Sequence, residues 1–161
     1  IFSIMWVKLS QIGKNPSIPL KFCFGIVQLA LGFLLTKLGF QFVNEAYQVP
    51  ILTLVFLYML HTTGELFLSP IGLSMVTKLS PKSMAGTAMG AWFLSFAIAN
   101  YAGGKIAAIT GGHGGGEALS AEAGLLQYLD VFSTIGYVLL IIASIIFLLN
   151  NPIKKLMHGV E

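Results

Sequence analysis

The sequence predicts an all-α integral membrane protein, and three observations support this fold class. Hydrophobic residues make up 56% of the 161 residues and charged residues only 9%, whereas an ordinary soluble domain has about 25% charged residues. The apolar segments are about 20 residues long or longer, which is the length that a helix needs to cross a bilayer. Short polar segments separate them, without the alternating strands of about 10 residues that form a membrane barrel.

Prolines mark the limits of the predicted helices. The first apolar segment, residues 1–9, has about half the length of a span. We interpret it as the end of a helix whose first part is absent, and the chain as the C-terminal piece of a larger protein. Pro16 breaks the chain before the second segment, Pro50 and Pro81 are placed to start the third and fourth, and Pro152 follows the last. We therefore expect four complete transmembrane helices plus the end of one more, over residues 1–9 (partial), 20–40, 50–77, 85–109 and 125–149.

The basic residues, all lysines, concentrate in alternate connections. They surround the first connection, the third and the C-terminal segment, at Lys8, Lys14, Lys21, Lys78, Lys82, Lys154 and Lys155. The other two connections are acidic, with Glu45, Glu117, Glu122 and Asp130. By the positive-inside rule, the lysine-rich connections and the C-terminus are expected to be cytoplasmic. Lys37 and Lys105 fall near predicted external ends, where a long side chain can snorkel. The Gly-rich connection 111–124 is expected to be external and flexible.

Glu65 is the leading candidate for a functional residue. It lies near the middle of the apolar segment 50–77, about 22 Å along a helix from Pro50 and therefore close to the bilayer midplane. A carboxyl group is expensive to bury there, so it marks a functional site by default. The alternative is a structural carboxylate that neighbouring helices satisfy. No basic residue in the segment can neutralise Glu65, so its partner must come from another helix, a missing part of the protein, or a ligand.

Four further polar or aromatic residues could belong to the same site. Trp92 lies within about 10 Å of the midplane on the next helix, where it could line a cavity or fill space between helices. His61, one turn before Glu65, could bind a metal, modulate the carboxylate or simply pack, but one His/Glu pair supplies too few ligands for a metal. Ser95 and Asn100 could line a polar cavity or form hydrogen bonds across helices.

Ser69-Pro70 and Gly86/Gly90 are candidates for a hinge or gate. A proline inside the helix that contains Glu65 removes a hydrogen bond and predicts a kink one turn beyond the carboxylate. Gly86 and Gly90 form a GxxxG pattern, which allows another helix to approach closely, as either a static or a sliding contact.

Chemistry at a covalent or metal centre is not predicted. No nucleophile and base arrangement occurs, so we do not expect an enzyme. Cys23 is the only cysteine, which excludes an intrachain disulfide and a cysteine-based metal site. We expect no metal, no other cofactor and no nucleic-acid partner.

Two segments resemble a known transporter family. HTTGELFLSPIGLSMVTKLSP, residues 61–81, and GTAMGAWFLSFAIANYAGG, residues 86–104, are similar to the proton-dependent oligopeptide transporter (POT) family of the major facilitator superfamily. The resemblance extends to WVKL, residues 6–9, and to residues 15–22. It implies a twelve-helix fold of two halves around a cavity that opens to either side in turn. Residues 1–161 would then form an incomplete C-terminal half, from the end of the eighth helix to the twelfth.

The resemblance also implies a function. It implies proton-coupled symport of di- and tripeptides by alternating access in the cell (inner) membrane, with protons as coupling ion, and with the lipid bilayer and the missing N-terminal half as partners. Glu65 maps onto the glutamate that engages the peptide amino terminus, and Trp92 onto an aromatic residue that shapes a side-chain pocket. The alternatives are a related facilitator of another small solute, or a truncated helical membrane subunit without transport activity.

Overall fold

The computed structural model describes residues 2–110 and 120–157, and within them all regular structure is helical. The helices are α1 Phe2–Gln11, α2 Ile18–Phe40, α3 Ile51–Leu79, α4 Ala85–Thr110, α5 Ala121–Leu148 and α6 Asn150–Leu156, with a 3₁₀ turn at Lys82–Met84. The predicted all-α fold class is confirmed. Most of the Gly-rich connection lies outside the described residues, as do His113, Glu117 and His158.

Local sequence explains where the helices start. Proline occupies the first turn of α2, and Pro50 immediately precedes α3, both positions where a missing N–H is harmless. The Ser120 side chain accepts a hydrogen bond from the Ala123 N–H at 3.2 Å, which caps α5. This helix therefore begins at Ala121, earlier than the predicted residue 125. The short helix α6 was not predicted, and it tolerates Pro152 because this residue lies in its first turn.

Three helices among the described residues are both long and apolar enough to cross a membrane. They are α2, α3 and α5, with mean hydropathies of 2.0, 1.6 and 2.5. Their length and composition are those of a multi-pass membrane protein. Helix α4 has 26 residues, which is about 39 Å of helix, but it is not one of the three. Asn100, Lys105 and its glycines make it less apolar, so the fourth complete crossing stays a prediction.

Helix α2 occupies the centre and packs against both α3 and α5. Its contact with α5 involves small residues, since Ala30 and Ala143 are buried and the Cys23 thiol donates to the Ala143 carbonyl at 3.4 Å. A Cβ added at Gly136 of α5 would lie 2.8 Å from Leu34 Cγ. Small side chains therefore bring these two helices close together.

Three glycines of α2 form the contact with α3. Gly25, Gly32 and Gly39 recur every seven residues, so they share one helix face. A Cβ at Gly25 would lie 3.1 Å from the Gly64 carbonyl oxygen, and a Cβ at Gly39 would lie 2.5 Å from Thr53 Oγ1. These glycines let the backbones of α2 and α3 approach closely.

Hydrogen bonds at the two ends fix the antiparallel arrangement. At one end Ser17 Oγ donates to Asn150 Oδ1 at 2.5 Å, close to Lys14, Lys154 and Lys155 in sequence. At the other end Tyr47 Oη donates to Glu122 Oε2 at 3.1 Å. The lysine-rich and the acidic connections therefore lie at opposite ends of the bundle, as the charge pattern predicts.

Candidate functional site

Glu65 is exposed on α3 and has no partner within the described part of the chain. It makes no hydrogen bond or ion pair with residues 2–110 or 120–157. Its neighbour Gly64 is buried against α2, whereas Glu65 is exposed. The described helices do not satisfy the carboxylate. It is available to a ligand or to another part of the protein.

Trp92 packs on α3 at Gly72. A Cβ added at Gly72 would lie 2.6 Å from Trp92 Cζ2 and 3.3 Å from Cζ3, so only glycine leaves room for this ring. The ring also meets Phe96 edge to face, with centroids 6.0 Å apart. Gly72 follows Glu65 by two helical turns on the same face of α3, a separation of about 10 Å along the axis. Trp92 and Glu65 are thus placed along one side of α3.

His61 is a packing residue between α2 and α3. Its ring lies 4.5 Å from the ring of Phe33, centroid to centroid. It also fills the space over Gly32, where an added Cβ would lie 2.5 Å from Cδ2 and 2.7 Å from Nε2. Its Nε2 atom is buried without a hydrogen-bond partner among the described residues. His61 and Glu65 are one turn apart, but His61 is engaged with α2 and Glu65 is not.

Ser95 and Asn100 form hydrogen bonds within their own helix. Ser95 Oγ donates to the Trp92 carbonyl at 2.6 Å, and Asn100 Nδ2 donates to the Phe96 carbonyl at 2.8 Å. Both residues are exposed. Within the described residues they do not form the hydrogen bonds across helices that we considered, because α4 offers its own carbonyls one turn back. A place in a polar cavity stays a prediction for both.

The candidate hinge residues are not packed. Helix α3 continues through Pro70, which lacks the N–H that would normally bond to the Leu66 carbonyl. Gly86 and Gly90 have no atom of the described residues within 4 Å of an added Cβ, so their GxxxG face is open. The close approach of α3 and α4 occurs instead at Gly72, a position that was not among the predicted hinge or gate residues. The spacing of seven residues between Glu65 and Gly72 places both on one face of α3, and this spacing could have indicated the contact from the sequence.

Comparison with known proteins places these residues in a family. The sequence model of the POT family matches residues 1–115, the segment that contains both Glu65 and Trp92. The chain belongs to the POT family. This confirms the resemblance noted in the sequence, which was carried by residues 61–81 and 86–104.

Named relatives of this POT-family chain include peptide permeases. It is 36% identical over 150 residues to dipeptide and tripeptide permease A of Edwardsiella piscicida, covering 93% of the chain and 30% of that protein. It is 32% identical to dipeptide and tripeptide permease B of Aeromonas hydrophila, covering 99% of the chain and 32% of the relative. It is 36% identical to peptide transporter YePEPT of Yersinia enterocolitica, covering 100% of the chain and 30% of the relative.

The POT-family chain spans about 30% of the length of these relatives. Membership and the relatives' names confirm the prediction of a transporter family rather than a family of enzymes. The described helices place Glu65 and Trp92 on neighbouring helices of this POT-family chain.

Proposed function

We propose that this chain works as the C-terminal part of a proton-coupled symporter of di- and tripeptides. The observation that carries the proposal is the exposed Glu65 carboxylate, which lies in the middle of an apolar helix without a partner among the described residues. Such a group in a membrane span usually serves a substrate or an ion. The POT-family match and the names of the peptide permeases support a peptide as the substrate.

Glu65 has chemistry that suits the amino terminus of a peptide. An ionised carboxylate in a cavity of low dielectric constant attracts the peptide ammonium group. Protonation of the carboxylate removes this attraction. A site that alternates between the two states can couple proton movement to peptide movement, if it faces the two sides of the membrane in turn.

Trp92 is proposed to shape the pocket for a peptide side chain, and Ser95 to lie next to it. The Gly72 contact holds the Trp92 ring against α3, so the pocket would have a rigid aromatic wall on the side of α4. Asn100 lies further along α4 and could modulate the site. For His61, the contacts with α2 favour a packing role that orients α3.

The proposed partners are an N-terminal half of the same protein and the lipid bilayer. Most of α4 is exposed, including Phe93, Leu94 and Tyr101 at 59%, 60% and 70%. These apolar side chains and Glu65 are the surfaces that a second helical half would cover. The cell (inner) membrane is the proposed location, with the lysine-rich end and the C-terminus in the cytoplasm.

Uptake of dialanine and N-acetyl-dialanine by cells that express the full-length protein tests the role of Glu65. The unmodified protein should take up dialanine and discriminate strongly against the acetylated peptide, which has no ammonium group. Glu65→Gln should abolish or strongly weaken dialanine uptake, because the amide has no charge. Glu45→Gln is the matched control, since Glu45 is an exposed carboxylate in the connection between α2 and α3, and it should behave like the unmodified protein.

The same assay separates the proposal from its alternatives. Wild-type uptake by Glu65→Gln would remove Glu65 from the site. Counterflow with an amine or another small solute, but not with dialanine, would indicate a related facilitator of a different substrate. No transport of any solute by the full-length protein would indicate a helical subunit without transport activity.

A further inference from the structure

A pocket with polar and apolar lining lies between α2 and α5, on the far side of α2 from Glu65. Its volume is about 520 Å³, and it extends to Gln41, the residue that follows α2. The charge pattern assigns this end of α2 to the external side. Both helices contribute polar groups to the pocket, namely Lys37, Gln41, Asp130, Ser133, Thr134 and Tyr137.

Lys37 is held in this pocket by an aromatic contact. Its Nζ donates to Tyr137 Oη at 3.0 Å and lies 4.9 Å from the centre of the tyrosine ring. An ammonium group has three N–H donors, so this bond leaves two for an anion. The Tyr137 hydroxyl accepts from Lys37 and keeps its own O–H to donate. The pair therefore offers a positioned cation and a hydroxyl to a phosphate group.

Two further polar groups in the pocket have no hydrogen-bond or ion-pair partner within residues 2–110 and 120–157. Asp130 is exposed and makes no hydrogen bond or ion pair with residues 2–110 or 120–157. Ser133 is 6% exposed, and its hydroxyl has no hydrogen-bond partner in the same part of the chain. Elsewhere in α5, Ser144 donates to the Leu140 carbonyl one turn back, which is the usual arrangement. A ligand with both a phosphate and an amine would match Lys37 and Asp130.

An apolar stripe leads from the pocket along α5. Tyr137, Ile141 and Ile145 follow one another at four-residue spacing and are 50%, 60% and 49% exposed, so they form one open ridge. A soluble ligand has no long apolar chain that could contact this ridge, whereas the acyl chain of a lipid can lie along it. The stripe therefore favours a lipid over a soluble phosphate ester.

We propose that this pocket binds the headgroup of an amine-bearing phospholipid from the external leaflet. Lys37 and Tyr137 bind the phosphate, Asp130 binds the ammonium group, and Ile141 and Ile145 support an acyl chain. Phosphatidylethanolamine has this chemistry. Phosphatidylcholine differs because its quaternary amine has no N–H to donate, and phosphatidylglycerol because it has no amine.

Native mass spectrometry of the purified full-length protein, titrated with each of the three lipids, tests the site. The protein should retain phosphatidylethanolamine at about tenfold lower concentration than either other lipid, the ratio expected for one charged hydrogen bond. Asp130→Asn should abolish this preference. Lys37→Gln should weaken retention of phosphatidylethanolamine and phosphatidylglycerol alike. Lys105→Gln, at the predicted external end of α4 and outside the pocket, is the matched control and should change nothing.

Three results would overturn the assignment. The first is equal retention of phosphatidylethanolamine by the unmodified protein and by both pocket variants. The second is an equal loss in Lys105→Gln, which would indicate general charge attraction. The third is binding of soluble glycerophosphoethanolamine at the same concentrations as the lipid, which would assign the pocket to a soluble phosphate ester.

Discussion

Replacing Gly72 with alanine should disturb the contact between α3 and α4 through Trp92. The new methyl group would lie 2.6 Å from Trp92 Cζ2, whereas carbon atoms in contact are about 3.5–4.0 Å apart. The ring must therefore withdraw by roughly 1 Å. Overpacking of this kind costs about 1–3 kcal/mol, and the better helix propensity of alanine offsets about 1 kcal/mol of it. We expect a net destabilisation of about 1 kcal/mol.

A double-mutant cycle isolates the contact with Trp92. Once Trp92 is replaced by leucine, Gly72→Ala should no longer destabilise, and the two changes should be coupled by about 1–2 kcal/mol. Gly86→Ala is the matched control, because an added Cβ there meets nothing within 4 Å. It should be neutral or slightly stabilising.

Equilibrium unfolding of the full-length protein in detergent measures the unmodified protein, the three variants of the cycle and the control. Uptake adds a functional measure, since a displaced Trp92 should affect dipeptides with bulky side chains more than dialanine. Additive effects of Gly72→Ala and Trp92→Leu, or equal effects at Gly72 and Gly86, would refute the contact as the cause.

Three further predictions follow from other parts of the chain. Gly90→Leu should leave the stability of the protein nearly unchanged, because the surroundings of Gly90 are open. If Gly90 closes a gate, the same change should shift spin-label distances between the cytoplasmic ends of α3 and α4. Unchanged distances with and without dipeptide would count against a gate at Gly90. The hydrogen bond and charge of Glu122 raise the pKa of Tyr47. This contact therefore stabilises the folded protein at pH values below the ordinary tyrosine pKa of about 10, and the stabilisation is lost as the pH rises through the raised pKa. Glu122→Gln should lower the pH at which half of Tyr47 is ionised, measured by phenolate absorbance, and an unchanged midpoint pH would contradict the contact. In an otherwise cysteine-free protein, an impermeant thiol reagent should label Ala121→Cys but not Lys155→Cys in intact cells, and the reverse pattern would invert the topology.

The helices were predictable because apolar length is a local property of the sequence. The fold class needed no more than composition and the spacing of polar breaks. The early start of α5 was missed because its cap, Ser120, lies upstream of the apolar run. Helix α6 was missed because asparagine and proline normally end a helix, while Pro152 here lies in a first turn.

Interhelical contacts were harder to predict, because they depend on how each helix is rotated. The GxxxG pattern at Gly86 and Gly90 drew attention to a face that is open in the described structure. The glycines that do bring helices together, such as Gly32 and Gly72, gave a weaker pattern. The position of Glu65 near the middle of α3 was predictable from the sequence, but the packing of His61 against α2 was not.

The central position of α2 has a consequence for membrane insertion. The face of α2 that contains Cys23 and Ala30 is covered by α5, which the ribosome completes roughly 5–20 s after α2 at about 5–20 residues per second. During this interval α2 can pair with α3 but must keep its other face in contact with lipid or with an insertion factor. A membrane-permeant thiol reagent should therefore modify Cys23 in chains halted after α4, and should lose access once α5 is released.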